Sequence, residues 1–446
     1  MRLQPTVLAL GSAVLACTAA LAPSPAAAFC GFYVASGDAK IFNRVSQVVI
    51  ARDGDRTVIT LSNDFRGEPK AFAMVVPVPV VIRKNQVHIG DRAWIERLDA
   101  YSAPRLVEYF DPDPCPSAAK QISEIEVRGG RGGPVQLRFD GNSVEDAVRI
   151  EDRYKVDEYE IVILSATEGD ALERWLRAHG YRIPAGAGPV LDGYVKQGTK
   201  FFVAKVDLAE HARLGFSYLR PIQVAFESPK FALPIRLGMA NADGAQELFV
   251  YTLTRKGRVE TVNYRTLRLP TGMDLPPHLK REFPDFVRAM FSRQVDRHDM
   301  STVFTEYAWE ASTCDPCPGP PLTAQEMRSL GAFWIAGGDP AGTFVTRLHV
   351  RYDAAHFPED LVFQETADRT TYQARYVLRH PWAGTGDCPE ARRYRASLAE
   401  RRQKEARALS ELTGWKLGDI RSKMAVNAAW EAPTDHYRWW DGLWKR

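Results

Sequence analysis

Net charge, cysteine and long apolar runs are all scarce in this sequence. Lys plus Arg number 58 against 55 for Asp plus Glu, a formal charge of only +3 over 446 residues. This balance gives no overall attraction to nucleic acid or to anionic lipid. Six cysteines are too few for a disulfide-dense scaffold. With 45% apolar and 25% charged residues, the composition excludes a disordered chain, a collagen-like fibre and a polytopic membrane protein.

Familiar catalytic motifs are also missing. The sequence has no H-E-x-x-H, no G-x-S-x-G elbow, no Walker A loop and no strand-linked G-x-G-x-x-G. The nine histidines are scattered without metal-ligand spacing. We therefore expect no metal, no cofactor and no common hydrolase or nucleotide chemistry. An enzyme built from dispersed residues is compatible with these absences.

The one long apolar run lies at the N-terminus, from Thr6 to Leu21. It is followed by Ala22-Pro23-Ser24-Pro25, which breaks a helix, and by three alanines that end at Ala28. This pattern predicts a signal peptide, residues 1–28, and thus a periplasmic or secreted protein. A single membrane anchor is an alternative, but the run is shorter than the roughly 20 residues that span a bilayer. Lipidation at Cys17 is a second, less favoured alternative. No other run predicts a transmembrane span.

Cleavage leaves five cysteines in the mature chain: Cys30, Cys115, Cys314, Cys317 and Cys388. Disulfides are the default in an oxidising compartment, and an odd number leaves at least one thiol unpaired. The C-x-x-C spacing of Cys314 and Cys317 favours a structural disulfide, either within the pair or from one of them to Cys388. Cys30 and Cys115 are then candidates for a long-range pair. A redox-active pair or a zinc site is a weaker alternative, because the segment is proline-rich and further ligands are not close in sequence.

The rest of the chain is rich in short apolar runs separated by turn residues. Asp53-Gly54 and Lys256-Gly257 each divide two such runs and predict hairpins, because glycine takes the positive φ of a tight turn. The run from Ala71 to Val81 carries two prolines, which predicts an edge or bulged strand. A long charged helix is expected between Pro389 and Trp415. The predicted fold is α+β and β-rich, with antiparallel, sandwich-like modules, interspersed helices and this long C-terminal helix.

Three segments are predicted after the signal peptide. They are a β-rich module (29–165), a second β-rich module with a leading helix (166–275) and an α+β C-terminal region (276–446). Similar Pro-Lys segments at Pro69 and Pro229 raise the hypothesis of a duplicated β module.

The C-terminal tail is rich in tryptophan, with Trp430, Trp439, Trp440 and Trp444. Large aromatic rings are costly to leave in water. We expect this tail to dock on the body of the protein, with a membrane or partner contact as the alternative.

The most site-like stretch is a predicted strand from Thr343 to Tyr352. Alternate side chains of a strand share a face, so Arg347, His349 and Arg351 would line up, and Arg375 on a neighbouring strand would add a further cation. Such a row can bind a carboxylate, sulfate or phosphate. The alternative is that the row is neutralised by cross-strand carboxylates. Those nearest in sequence are Glu359, Asp360, Glu365 and Asp368.

Four motifs, taken in order, resemble a known family. They are Phe29-Cys30-Gly31-Phe32-Tyr33-Val34-Ala35, Leu98-Asp99-Ala100-Tyr101-Ser102-Ala103-Pro104-Arg105-Leu106, Cys314-Asp315-Pro316-Cys317 and Thr346-Arg347-Leu348-His349-Val350-Arg351-Tyr352. Together they resemble the exported bacterial family DUF2330, from about Phe29 to Trp415. The resemblance implies bacterial export and one continuous unit, but it supplies no activity, cofactor or catalytic residue.

Two functions of different classes are compatible with these observations. The first, which we favour, is a non-catalytic binding or scaffold protein of the cell envelope, with an envelope protein or a glycan as partner. The second is an envelope enzyme that uses Cys314 and Cys317 for thiol–disulfide chemistry, or the row Arg347, His349 and Arg351 on an anionic substrate.

Overall fold

The computed structural model describes residues 32–35, 42–66, 72–115 and 148–430, except 182, 184–185, 217, 241, 243, 316, 318 and 336–339. Within these residues the strands form one nine-stranded sheet, one five-stranded sheet and two three-stranded sheets, accompanied by helices. The predicted α+β, β-rich class is confirmed. Cys30 and the tryptophans beyond Trp430 lie outside the described residues.

The strands are numbered in chain order. They are β1 (Phe32–Ala35), β2 (Phe42–Asp53), β3 (Arg56–Arg66), β4 (Phe72–Val78), β5 (Val87–Ile89), β6 (Arg105–Phe110), β7 (Val148–Val156), β8 (Tyr159–Ala166), β9 (Lys200–Val206), β10 (Ile222–Glu227), β11 (Ala232–Leu233), β12 (Gln246–Thr254), β13 (Val259–Thr261), β14 (Arg265–Arg268), β15 (Met273–Leu275), β16 (Thr302–Glu310), β17 (Phe344–Tyr352), β18 (Leu361–Glu365), β19 (Tyr372–Gln373) and β20 (Arg375–His380).

The α-helices are numbered in the same way. They are α1 (Arg92–Ser102), α2 (Gly169–Ala178), α3 (Ala187–Lys196), α4 (Leu208–Leu214), α5 (Arg236–Met239), α6 (Phe283–Arg297), α7 (Ala324–Ser329), α8 (Pro389–Thr413) and α9 (Leu417–Trp430). Short 3₁₀ helices cover Lys84–Gln86 and Pro277–Glu282. No helix among the described residues combines the length and apolar character needed to cross a membrane.

The nine-stranded sheet is the centre of the molecule. Its main path runs β14-β16-β17-β12-β2-β3-β10-β5, and β19 adds to β16. The β12–β2 and β14–β16 pairs are parallel, whereas β17 pairs antiparallel with both β12 and β16. Strands from all three predicted segments enter this sheet, so the boundaries at residues 165 and 275 do not separate independent sheets.

The main hydrophobic core lies between this sheet and the five-stranded sheet β1-β4-β9-β8-β7. Apolar side chains at alternate positions face each other, such as Val48 and Ile50 from β2 and Ile161 and Ile163 from β8, all at most 1% exposed. The two sheets thus form a sandwich, and their other faces are covered by helices. A fully buried aliphatic side chain contributes about 1.5–3 kcal/mol by leaving water, so this core is the main source of stability.

Helices close the outer faces of both sheets. Helix α1, capped at its N-terminus by Asp91, and helix α7 pack on the nine-stranded sheet, while α2 and α3 pack on the five-stranded sheet. A further core joins α6, α8 and α9 to the parallel sheet β15-β20-β6 and to Phe304 of β16. The predicted long charged helix corresponds to α8, which ends at Gly414 in a left-handed conformation (φ 76°).

One predicted hairpin is confirmed and the other is wrong. Strands β2 and β3 pair antiparallel around Gly54, which has φ 62°. Strand β13 does not pair with β12 and instead pairs with β18. The turn at Gly257 is fixed by a close approach: a Cβ there would stand 2.4 Å from the carbonyl oxygen of Asp368. Glycine is therefore required at this position because of packing. After it, the chain leaves the nine-stranded sheet, and β13 joins the sheet β11-β18-β13.

Two other sequence interpretations are also corrected. Strand β4 is not an edge strand, because it lies between β1 and β9, and Pro77 falls beyond the described end of its pairing with β1. The duplicated-module hypothesis is wrong as well. The first copy forms the β2–β3 hairpin, whereas β9 and β10, in the second copy, belong to different sheets.

The described cysteines form two disulfides. Cys314 pairs with Cys317, and Cys115 pairs with Cys388 across 273 residues of sequence. The long-range pair between Cys30 and Cys115 is therefore wrong, because Cys388 occupies the partner position. Cys388 is also the N-cap of α8, so its bond fastens the start of that helix to the segment after β6.

These bonds make the thiol count a direct prediction. Alkylation of the denatured, unreduced protein prepared without residues 1–28 should add one label, at Cys30, because the other four cysteines of that chain are in disulfides. Intact mass and peptide mapping would count and locate the label. A count of three or five, or a label on Cys115, would contradict the pairing.

Candidate functional site

The predicted row Arg347, His349 and Arg351 lies on β17, as expected, on the face of the nine-stranded sheet that α1 and α6 cover. It is not an open surface. Arg347 is 4% exposed and His349 is 5% exposed. Burial of an unpaired cation is very costly, so each must have anionic partners inside the protein.

Arg347 is held by carboxylates from two directions. Its Nε donates to Glu306 Oε2 of β16 at 2.5 Å, and its Nη1 donates to Asp99 Oδ1 of α1 at 2.7 Å. The same Nη1 donates to the Asp99 carbonyl at 2.9 Å. Asp99 also accepts a hydrogen bond from the Tyr251 hydroxyl at 2.5 Å. Arg347 therefore joins β16 and β17 to α1.

A β-bulge places Glu306 in this network. The register between β16 and β17 shifts between Thr305 and Tyr307, so Glu306 is the extra residue. Its side chain is 1% exposed, with one oxygen on Arg347 and the other 2.8 Å from His349 Nδ1. Burial opposes the charged form of Glu306, but Arg347 and His349 outweigh this effect and lower the pKa of the carboxyl.

His349 is enclosed by aromatic rings and carboxylates. The Phe291 ring from α6 stacks on the imidazole with centroids 3.4 Å apart, and Phe249 lies at 4.1 Å. Its Nε2 lies 3.9 Å from Glu247 Oε2. Burial disfavours the imidazolium, yet Glu306 and Glu247 outweigh burial and raise the pKa of His349.

Arg351 closes the row at the α6 end. Its Nε and Nη2 both donate to Glu247 Oε1 of β12, and its Nη1 donates to Ser292 Oγ of α6 at 3.2 Å. Burial opposes ionisation of Glu247, but His349 and Arg351 hold the pKa of that carboxyl at about 2. The structure therefore brings the three predicted cations together as one internal ion network.

Arg375, the further cation predicted for the row, and the four carboxylates predicted as its partners lie outside this ion network. Arg375 is on β20 in a different sheet, beside Arg105 of β6, so it does not extend the row. None of the four nearby carboxylates is a member of this network. Asp360 forms an ion pair with Arg236, and Asp368 forms one with Arg258. Glu365 accepts hydrogen bonds from two backbone amides near residue 255, and Glu359 accepts one from Asn263. The actual partners come from distant strands, which local sequence does not show.

An open, mostly apolar cavity of about 330 Å³ lies elsewhere, at one end of the sandwich. It is lined by Ile59 and Leu61 of β3, Val76 and Val78 of β4, and Phe226 of β10. The exposed residues Pro79 and Lys230 also line it and place its mouth at the surface. The second Pro-Lys segment noted in the sequence, at Pro229, lines this cavity, whereas the first lies outside the described residues. The cavity itself was not predicted.

Arg52 fixes one wall of the cavity. This arginine is 7% exposed and points its guanidinium at the loop from Ser228 to Lys230. It donates to the carbonyls of Ser228 at 3.0 Å, Pro229 at 3.3 Å and Lys230 at 3.4 Å, and to Thr57 Oγ1 at 2.7 Å. One buried cation thus satisfies three carbonyls and holds the loop in place.

A second polar cluster that lines the cavity is centred on Asp360. Asp360 accepts from the Tyr194 hydroxyl at 2.6 Å, from the Ile235 amide at 3.0 Å and from Arg236 Nη2 at 3.2 Å. The Arg236 guanidinium also lies 4.4 Å from the centre of the Tyr194 ring. Burial, followed by the negative charge of Asp360, raises the pKa of Tyr194, which therefore stays a neutral donor.

The buried ion network predicts a large stability difference between two similar substitutions. Arg347→Met should lower the free energy of unfolding by about 3–5 kcal/mol, because it leaves Glu306 buried without its main cation. The matched control is Arg288→Met in the exposed Arg288–Asp285 pair, which should cost less than about 1 kcal/mol. Urea unfolding followed by circular dichroism measures both, and equal losses would contradict the proposed role of the network.

His349 predicts a specific pH dependence. A raised pKa in the folded state means that its stabilising contribution is complete below the ordinary value of 6.5 and is lost as the pH rises through the higher folded value. The stability cost of His349→Gln should therefore be largest below about pH 6 and shrink at higher pH, by about 1.4 kcal/mol for each pH unit by which the folded pKa exceeds the ordinary value. His356→Gln, at an exposed Asp353 pair, is the control. A cost that grows with pH would reverse the assigned direction.

Comparison with known proteins gives a family but no relative of known activity. Residues 24–364 match the family model described as "Uncharacterized protein conserved in bacteria (DUF2330)". The match contains all four motifs of the predicted resemblance and ends before Trp415. No curated protein and no solved structure matches the chain. Because the match covers most of the sequence, this chain belongs to the uncharacterised bacterial family DUF2330.

Proposed function

We propose that this chain is an exported protein of the bacterial cell envelope that binds an apolar ligand and does not catalyse a reaction. The observation that carries the proposal is the cavity of about 330 Å³ at the end of the sandwich. Apolar walls with a few fixed polar groups at one side are the usual composition of a small-molecule site, and this volume fits a small ring system or a short acyl chain.

The walls of the cavity support a binding role because they are held in place before a ligand arrives. Arg52 fixes the loop from Ser228 to Lys230, and Asp360 accepts hydrogen bonds from the Tyr194 hydroxyl and the Ile235 amide. A site that is already ordered loses less conformational entropy on binding. Lys230 and Glu227 lie exposed among the lining residues, so the charged groups remain in water while the interior is apolar.

Export is proposed from the N-terminal sequence and from the cysteines. Residues 1–28 have the order of a signal peptide, and two disulfides are typical of an oxidising compartment.

The non-catalytic role is proposed because the charged side chains expected to act on a substrate are committed to internal partners. Arg347 and His349 bind Glu306, and Arg351 binds Glu247. The alternative thiol chemistry is disfavoured because Cys314 is partly buried against the core to which α1 contributes, which shields one sulfur of the Cys314–Cys317 disulfide.

The neutral dye N-phenyl-1-naphthylamine tests the proposed apolar site. Its fluorescence should rise on binding to the mature protein, and Val80→Trp should weaken this binding roughly tenfold or more, because the indole fills a cavity that Val80 lines. Val262→Trp is the matched control, because Val262 is 53% exposed and does not line the cavity.

Circular dichroism would verify that both variants fold. Equal dye binding by the two tryptophan variants, or no binding by the unmodified protein, would refute the apolar site.

A further inference from the structure

A second cavity, of about 450 Å³, lies on the opposite face of the five-stranded sheet. Its floor is formed by β7, β8 and β9, and its wall by the end of α2 and the residue Tyr181. The strands turn Phe202 and Ala204 toward the sandwich core, whereas Val203 faces the helices. This second site is therefore separated from the apolar cavity by the thickness of the sheet.

The strand register arranges the floor in two rows. In the first row Arg153 of β7 lies beside Val162 of β8, which lies beside Val203 of β9. In the second row Lys155 lies beside Glu160, which lies beside Lys205. Directly paired residues project to the same face of a sheet. The floor therefore has an apolar strip formed by Val162 and Val203, which is bordered by Arg153 and by the charged second row.

Aromatic rings form the wall. Trp175 and Tyr181 pack partly into the core below α2, and the imidazole of His179 stacks on the Trp175 indole with centroids 3.7 Å apart. His179 Nδ1 lies 2.7 Å from the Trp175 carbonyl, which fixes the ring. Burial raises the pKa of Tyr181, followed by the effect of nearby Glu160, so its hydroxyl remains a neutral donor in this wall.

The cations of this cavity exceed the carboxylates. Arg153, Lys155 and Lys205 line it together with one carboxylate, Glu160. Lys155 is already paired with Asp207 at 2.7 Å. Among the described residues, Arg153 and Lys205 enter no ion pair, while their neighbours do. Two cations are thus available at the edge of an apolar, aromatic-walled depression.

We propose that this cavity binds a small ring that carries a carboxylate. The ring lies over Val162 and Val203 against the aromatic wall, and the carboxylate pairs with Arg153 and Lys205. The apolar face of such a ring fits the strip formed by Val162 and Val203. Its carboxylate can accept charge-assisted hydrogen bonds from the Arg153 guanidinium. An aryl carboxylate and an acidic sugar both carry a carboxylate on a ring that has an apolar face, and the experiment distinguishes them.

Isothermal titration of the full mature protein with 2-naphthoate and with galacturonate tests the site. The double variant Arg153→Ala/Lys205→Ala should weaken binding of the better ligand roughly tenfold or more. The control Lys196→Ala/Arg213→Ala removes the same charge from exposed i,i+4 and i,i+3 pairs outside the cavity and should leave binding within about twofold.

Glu160→Gln gives a result that misfolding cannot imitate. Removing the one carboxylate that lines the floor should strengthen anion binding severalfold, and added salt should weaken binding in every protein. Binding of 2-naphthoate should persist in Val80→Trp, so failure of the apolar site and failure of this site are distinguishable. Equal affinities in the two double variants, weaker binding by Glu160→Gln, or no heat from either ligand up to about 10 mM would overturn the proposal.

Discussion

The ion network around Glu306 is the constraint on which the centre of this fold depends. A single bulged residue places one carboxylate between Arg347 and His349, and through them it connects β16 and β17 with α1 and α6. Arg347 and His349 can be buried on one strand only because carboxylates from three other elements lie beside them. These are Glu247 of β12, Glu306 of β16 and Asp99 of α1. The network therefore specifies how the helices sit on the sheet, while the apolar core of the sandwich supplies most of the stability.

The two cavities differ in the chemistry of their lining residues. Between the sheets, the apolar walls are held by Arg52, which binds the carbonyls of the loop from Ser228 to Lys230, and by Asp360, which binds Tyr194 and the Ile235 amide. On the outer face, the cations remain at the rim and the aromatic rings supply the contact surface. The same five-stranded sheet contributes to both, because the period of two in its strands gives each face its own set of side chains.

Local patterns in the sequence correctly predicted those features of the fold that depend on residues close together in the chain. The alternation from Phe344 to Tyr352 correctly placed the three cations on one face of a strand, and Gly54 correctly marked a hairpin. The carboxylate partners were not predictable, since Glu306, Glu247 and Asp99 lie 41, 104 and 248 positions from the cations they bind. The hairpin predicted at Gly257 was wrong for a related reason. Glycine at this position is required by a long-range contact with Asp368, which the sequence does not distinguish from a tight turn. Both cavities escaped prediction because their walls combine segments that are far apart in sequence.

The bond between Cys115 and Cys388 has a consequence for where this protein can be cut. The family match ends at Gln364, but the chain beyond it supplies Leu378 and Leu409 to the core around α6 and holds the sulfur partner of Cys115. A fragment trimmed to the family boundaries would expose one face of α6 and leave the Cys115 thiol without its partner. Such a fragment would be prone to cross-linking between copies, so the cooperative unit of this protein extends past the region by which its family is recognised.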